Sequence, residues 1–351
     1  MSSSFAPLPF EDINHVLDHT RDLWEAARGC SFFITGGTGF VGIWLLESFL
    51  AANERFSLGA CATILSRNPE AFLQRMPHLA GRPDLIFIRG DVSTFEIPPG
   101  PFDCLIHAAT EVADRSRPGA AAGQMDAILE GTRRVLSLAQ RTGVKKLLFV
   151  SSGAVYGVQP PGLPQVPETW PGAPETTSAD SGYGIGKRAS EHLLAVHAPA
   201  HHYHLKIARC FAFVGPQLDP GRYAIGNFIR DALAGKPLGI QGDGTPLRSY
   251  LHAADLAVWL WTILLHPSSQ GIYNTGSAES ISISACARLV ADVINPALAV
   301  ETAIPCDPLR PVSLYVPDTG RAARELGLRQ LISLPEAIRR TAAWLKRPLN
   351  S

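Results

Sequence analysis

One stretch constrains the fold more than any other. Ser31-Phe32-Phe33-Ile34-Thr35 reads as a buried strand, Gly36, Gly39 and Gly42 follow at three-residue steps, and a helix begins inside the motif at Phe40. Glycines there allow a tight turn and close backbone approach, and the free amides of a helix N-terminus hold a diphosphate. The strand–turn–helix context makes this a dinucleotide-binding turn, with Gly36, Thr38, Gly39, Phe40, Val41 and Gly42 as its contacts.

The turn opens a longer alternation. Apolar strands are expected near 31–35, 60–65, 85–89, 104–107, 146–151 and 205–211, with helical patterns at 39–52, 124–142 and 182–197. That order predicts an α/β fold: a Rossmann-type, doubly wound parallel sheet with ligands at the carboxyl ends of its strands. Before it, 10–28 reads as one amphipathic helix ended by Gly29, an N-terminal extension over 1–29. The dinucleotide-binding domain is expected over 30–212, including a substrate-cleft loop near 157–180. Beyond it, 213–351 reads mainly as a smaller mixed α/β substrate-binding lobe, with helices at 225–234, 253–265, 282–294 and 334–345. Two Pro-rich stretches, 159–174 and 306–317, are placed to build the mouth of a substrate cleft.

Charge narrows the partners. The 351 residues balance 31 basic against 31 acidic side chains, so no general attraction to nucleic acid or an anionic membrane is implied. The N-terminus lacks the basic and apolar regions of a secretory signal, and no apolar run approaches a bilayer span, so a reducing, cytoplasmic setting is expected. The six cysteines are widely spaced, with no metal-type pairing. His197, His201, His202 and His204 read as exposed residues at a helix end, so no metal is expected.

The second strand ends Ser66-Arg67-Asn68, without the carboxylate that would bond a ribose 2′-hydroxyl. Arg67 suits a 2′-phosphate, which favours NADP over NAD and leaves both open. Asp91 and Val92 follow the third strand, where the adenine would lie. Ala108 and Ala109, after His107, are small where a cofactor must pass closely.

Tyr183 and Lys187 share one face at the start of a helix whose expected cap is Asp180-Ser181. A nearby ammonium favours phenolate, so Tyr183 suits proton transfer, with Ser152 closing the fifth strand as a hydroxyl for the reacting oxygen. Glu111 and Asp114, after the fourth strand, are further candidates for acid–base support.

These motifs resemble the extended short-chain dehydrogenase/reductases of the nucleotide-sugar epimerase/dehydratase type. The carriers are 35–42, Gly90-Asp91-Val92, His107-Ala108-Ala109, Gly131-Thr132, the run 151–157 and Tyr183-Gly184-Ile185-Gly186-Lys187. Later matches are 209–216, 248–255, Tyr273-Asn274-Thr275-Gly276 and Asp318-Thr319-Gly320-Arg321. The resemblance implies NAD(P)-dependent hydride transfer at a sugar carbon, usually C4, of a nucleoside-diphosphate sugar, and a homodimer formed through helices like 124–142 and 182–197. It makes Ser152, Tyr183 and Lys187 catalytic, and Asn227, Arg248 and Arg310 diphosphate ligands.

The departures sharpen the expectation. Gly153-Ala154 stand where dehydratases and decarboxylases of the family carry carboxylates, so those reactions are expected to be disfavoured. Ala212 and Ile128 replace asparagines that contact sugar or diphosphate, which argues against a standard UDP-galactose-type epimerase. A 4-ketoreductase or an unusual epimerase is the reading that survives. The alternatives are a non-catalytic NAD(P)-binding sensor or scaffold, and a reductase of a small non-nucleotide ketone.

Overall fold

The computed structural model describes residues 6–110, 120–219, 221, 223–307 and 309–347. The apolar runs become parallel strands β1 (Ser31–Thr35), β2 (Cys61–Ser66), β3 (Leu85–Arg89), β4 (Cys104–His107), β5 (Lys146–Ser152) and β6 (His204–Cys210). Short strands β7 (Phe213–Val214), β8 (Leu238–Ile240), β9 (Leu247–Arg248) and β10 (Leu251–His252) lead to β11 (Gly271–Thr275), which pairs in parallel with β6. The main sheet thus has seven strands in the order β11-β6-β5-β4-β1-β2-β3. Its edge strand comes from beyond residue 212. Chain order reverses between β1 and β4, the crevice where such sheets hold ligands.

Helices α1 (Phe10–Thr20), α2 (Phe40–Arg55), α3 (Pro69–Arg75), α4 (Ala120–Thr142) and α5 (Gly182–His201) precede α6 (Ala224–Leu233), α7 (Ala253–Leu265), α8 (Ile283–Ile294), α9 (Gly320–Leu326) and α10 (Leu334–Leu345). Side chains alternate across a strand, so Phe32 and Ile34 of β1 enter the core shared with α2 and α7, whereas Phe33 enters the one shared with α4 and α5. Both faces are covered, which is why the strands read as continuous apolar runs.

The single helix expected over 10–28 stops at Thr20. Its hydroxyl donates to Val16 O at 2.6 Å and accepts from Trp24 Nε1 at 2.9 Å, and the chain continues as a 3-10 turn, Arg21–Ala27. Trp24 then packs on Trp261 of α7, with ring centroids 4.7 Å apart. Asp255 of α7 ties the extension to the remainder: it bonds His15 Nε2 at 2.7 Å and accepts from the amides of Leu331 and Ile332, both at 2.9 Å.

The second lobe is built from β12 (Ile281–Ser282), β13 (Val300–Thr302) and β14 (Leu314–Tyr315) with the earlier short strands. β9 lies between β12 and β14, and Tyr315 pairs with Arg248. The two Pro-rich stretches meet here. Gln159 bridges Leu314, its Oε1 accepting from Val316 N at 2.9 Å, and Val166 N donates to Val316 O at 2.9 Å.

Candidate active site

At the β1–α2 turn Gly36 has φ +74°, and a Cβ there would fall 2.5 Å from the Ala108 carbonyl carbon and the Ala109 nitrogen. A Cβ on Gly42 would fall 2.3 Å from Gly36 O, so both glycines are required by close approach. Gly39 is exposed and extended (φ −91°, ψ 179°), and α2 starts at Phe40. The first-turn amides of Phe40, Val41 and Gly42 therefore face outward without intrahelical acceptors. With half-buried Thr38 beside them, they fit an anionic diphosphate.

Ser66 is buried at the end of β2 and Arg67 beside it is exposed. Arg89, at the end of β3, donates to Arg67 O at 3.4 Å and pairs with Glu70. The Asp91 carboxylate bonds Ser93 N at 2.9 Å, and these Ser93 bonds hold it below the usual range. Val92 packs against Gly131 of α4, where a Cβ would lie 3.0 Å from it. Ala108 and Ala109 follow β4, bonded to Thr35 O and Thr35 Oγ1 at 3.1 and 3.2 Å.

Behind them lies a polar line that sequence reasoning missed. Thr35 Oγ1 lies 2.8 Å from His107 Nδ1, His107 Nε2 3.3 Å from Thr132 Oγ1, and Thr132 Oγ1 2.8 Å from Ser190 Oγ. Burial, reinforced by the Lys187 charge, pushes His107 down to about 3, so it is neutral and bridges two hydroxyls. His107 was legible only as part of a motif, because its partners come from β1, α4 and α5.

Lys187 is fully buried. Its Nζ donates to Val150 O at 2.8 Å and lies 4.7 Å from the centre of the Phe149 ring, and burial pushes its pKa down to about 8. Tyr183 stands one turn earlier, half-buried. The expected cap is not made: Ala179–Ser181 form a 3-10 turn, and Ser181 is in the αR region without a side-chain cap bond. What positions the helix instead is Gly184, packed so closely that a Cβ would sit 2.5 Å from Ala154 O. Arg188 adds a tie, its Nη1 donating to Val155 O at 3.0 Å and Gly172 O at 2.6 Å, which fastens the 157–180 loop to α5.

Ser152 closes β5, and its Oγ accepts from Ala154 N at 3.1 Å. Gly153 leaves room for Phe211, whose ring atoms would lie 2.7–2.9 Å from a Cβ there. Tyr315 packs on Phe211, centroids 4.7 Å apart, and its hydroxyl lies 3.4 Å from Ser152 Oγ. Tyr315 escaped the sequence reading because the stretch around it reads as a Pro-rich loop, far along the chain, although it forms β14. Behind β5, Arg209 and Glu191 form a buried pair, with Nε–Oε1 3.0 Å and Nη2–Oε2 2.6 Å, and Ser151 donates to Glu191 at 2.6 Å.

Arg248, half-buried on β9, donates to Leu247 O at 2.8 Å and Ser313 O at 3.2 Å, and lies in register with Tyr315. Asn227 is half-buried on α6, whereas Arg310 is exposed in the loop before β14. Ser152 and Tyr315 meet where β5 ends, Tyr183 and Arg248 lie near enough to act on the Tyr315 hydroxyl, and Lys187 is held on Val150 O of the same strand, while Arg310 is exposed in its loop. Glu111 and Asp114 lie outside the described residues. Among the described residues no helix is long and apolar enough to cross a membrane.

The model of the NAD dependent epimerase/dehydratase family matches residues 32–276. UDP-glucuronic acid decarboxylase 3 of Arabidopsis thaliana is 28% identical over 312 residues, 87% of this chain and 86% of that protein. Two solved structures, each 24% identical, share the fold. One is a UDP-glucose 4-epimerase from Thermus thermophilus with NAD, at a TM-score of 0.74, aligned over 91% of this chain and 99% of that one. The other is a dTDP-glucose 4,6-dehydratase from Streptomyces venezuelae with NAD bound, at a TM-score of 0.75, aligned over 91% and 100%.

These likenesses correct one expectation. Decarboxylation and dehydration are not set aside by Gly153 and Ala154, since relatives named for decarboxylation match this chain and the family model that matches it spans epimerases and dehydratases. The inference took acid and base to stand only beside Ser152. Carboxylates occur elsewhere, as at Glu168 in the loop over 157–180, which burial holds above the ordinary range. From the glycine turn to the strand that completes its main sheet, this chain belongs to the NAD-dependent epimerase/dehydratase family.

Proposed function

We propose that this chain oxidises C4 of a nucleoside-diphosphate sugar and returns the hydride to the resulting ketone, with UDP-glucuronic acid as the first substrate to test. The convergence of Ser152, Tyr183 and Lys187 beside Arg248 supports the reading most directly. NAD supplies the hydride acceptor and donor. Tyr183 takes the proton of the C4 hydroxyl, Ser152 donates to the same oxygen, and the Lys187 ammonium favours the phenolate and holds the ribose hydroxyls. Arg248 and Asn227 hold the diphosphate, with Arg310 able to join from the rim.

Return of the hydride to the opposite face is epimerisation at C4, and a substrate that arrives as the ketone is simply reduced. A C4 ketone next to the carbon bearing a carboxylate is a β-keto acid, so loss of CO2 before the return gives a pentose. Incubation with UDP-glucuronic acid, UDP-glucose and dTDP-glucose, with products separated by chromatography, tests the reading. Absence of any C4 oxidation product or isotope exchange at C4 would overturn it.

Arg67 and Arg89, both exposed at the strand ends, favour tolerance of a 2′-phosphate. Arg67→Ser should then lower kcat/KM with NADP+ and leave it unchanged with NAD+. The proposed assembly is a homodimer through the outer faces of α4 and α5, checked by light scattering.

A further inference from the structure

Ser152 has a second neighbour whose role no motif announces. Its Oγ already accepts the Ala154 amide at 3.1 Å, which leaves its proton and one lone pair free to serve the reaction. Tyr315 Oη lies 3.4 Å from that oxygen and 3.4 Å from Cys210 O. Tyr315 is rigidly presented: its ring packs on Phe211 at 4.7 Å, and its strand is paired with β9 at Arg248. The neighbouring Val316 is bonded on both sides, its amide to Gln159 Oε1 and its carbonyl to Val166 N.

Resting on the proposed C4 chemistry, we propose that Tyr315 is a positioning residue that orients the Ser152 hydroxyl toward the reacting oxygen and strengthens it as a donor. Without substrate, Ser152 donates to Tyr315 and Tyr315 to Cys210 O, so the hydroxyl is parked. With a C4 oxygen present, Ser152 turns its proton to the sugar, and Tyr315 swings its own proton from Cys210 O to the remaining lone pair of Ser152 Oγ. A hydroxyl that accepts one hydrogen bond donates a stronger one, so charge developing on the C4 oxygen is better stabilised. Burial holds the Tyr315 proton well above the usual tyrosine range, so it stays a donor throughout the working pH range.

The test is a double-mutant cycle of Tyr315→Phe and Ser152→Ala, read by single-turnover cofactor reduction with UDP-glucuronic acid. Phe keeps the ring on Phe211, so the fold is retained, and a thermal melt checks it. Losing one hydrogen bond should slow hydride transfer about 3- to 10-fold. The affinity for UDP should not change, and the isotope effect from deuterium at C4 should rise. In the Ser152→Ala background the same change should cost nothing more, because its effect passes through Ser152. Full-speed transfer by Tyr315→Phe, or an equal loss in both backgrounds, would overturn this role and leave the C4 reading intact. A folded wild-type chain that transfers no hydride with any of the three nucleotide sugars would overturn both.

Discussion

Replacing Gly184 by Ala separates catalytic geometry from stability. The added Cβ would lie 2.5 Å from Ala154 O, 2.9 Å from Pro174 Cγ and 3.2 Å from the Ala154 carbonyl carbon. Two of these atoms are backbone of the turn that follows Ser152, so α5 and that turn must separate. Overpacking typically costs about 1–3 kcal/mol, and Ala recovers up to about 1 kcal/mol of helix propensity over Gly. The net loss is then about 0–3 kcal/mol, a modest change in a melt. The same separation moves Tyr183 away from Ser152, and a displacement on the order of 1 Å can lower rate about 100-fold. Gly184→Ala should therefore melt within a few degrees of the parent while kcat with UDP-glucuronic acid collapses. Gly186→Ala is the control, since its Cβ would meet only Ile128 side-chain atoms at 3.4 Å. Equal kcat for Gly184→Ala and the parent, at equal folded fraction, would falsify the claim that this contact sets the Tyr183–Ser152 geometry.

Other tests reach different parts of the molecule. With its pKa near 8, Lys187 loses its charge as pH rises through about 8, so kcat should fall there, and Lys187→Arg should remove that limb from the profile. The linked stability effect has a fixed sign: the unfolded chain binds this proton first, so burial of Lys187 costs stability below about pH 8. That cost is relieved between about 8 and about 10.5, the window read from urea melts at stepped pH. Glu191→Ala leaves Arg209 buried without its carboxylate and should cost about 3–5 kcal/mol in urea unfolding, against near-neutrality for an exposed pair such as Arg288–Asp292. Arg248→Lys keeps the charge and loses the planar donor set. It should raise KM for the nucleotide sugar about 10-fold with a smaller change in kcat, and equal loss in both would place Arg248 in the chemical step.

Local features were legible in the sequence, and features assembled across the chain were not. The glycine turn, six of the main-sheet strands and the spacing of Tyr183 and Lys187 each depend on neighbours within one strand–helix unit, so residue type and period declared them. The break at Thr20 was hidden because the apolar spacing continues through it and only a hydroxyl inserted into the helix marks it. The edge strand β11 lay beyond the expected domain boundary, since nothing in Gly271–Thr275 says which sheet it joins. The hydrogen-bond partners of Tyr315 and His107 lie far along the chain from them. The expectation against decarboxylation and dehydration failed for a related reason: it was drawn from two adjacent positions, Gly153 and Ala154, alone.

The late arrival of β11 also bears on how the molecule is made. β6 is complete at Cys210, but its outer edge stays open until Gly271–Thr275 has been synthesised. Through that interval the nascent chain presents a row of unpaired backbone donors and acceptors, the kind of edge that invites strand exchange between copies. Asn274 then does more than pair with Arg209: its amide donates to Glu168, its side chain donates to Val166 O and Asp318 O, and its Oδ1 accepts from Tyr156. One strand addition therefore covers the outer edge of β6 and fastens the 157–180 loop to the sheet. A chain halted on the ribosome before residue 271 holds the glycine turn and the Tyr183–Lys187 helix, yet lacks the last strand of the sheet, which clasps that loop.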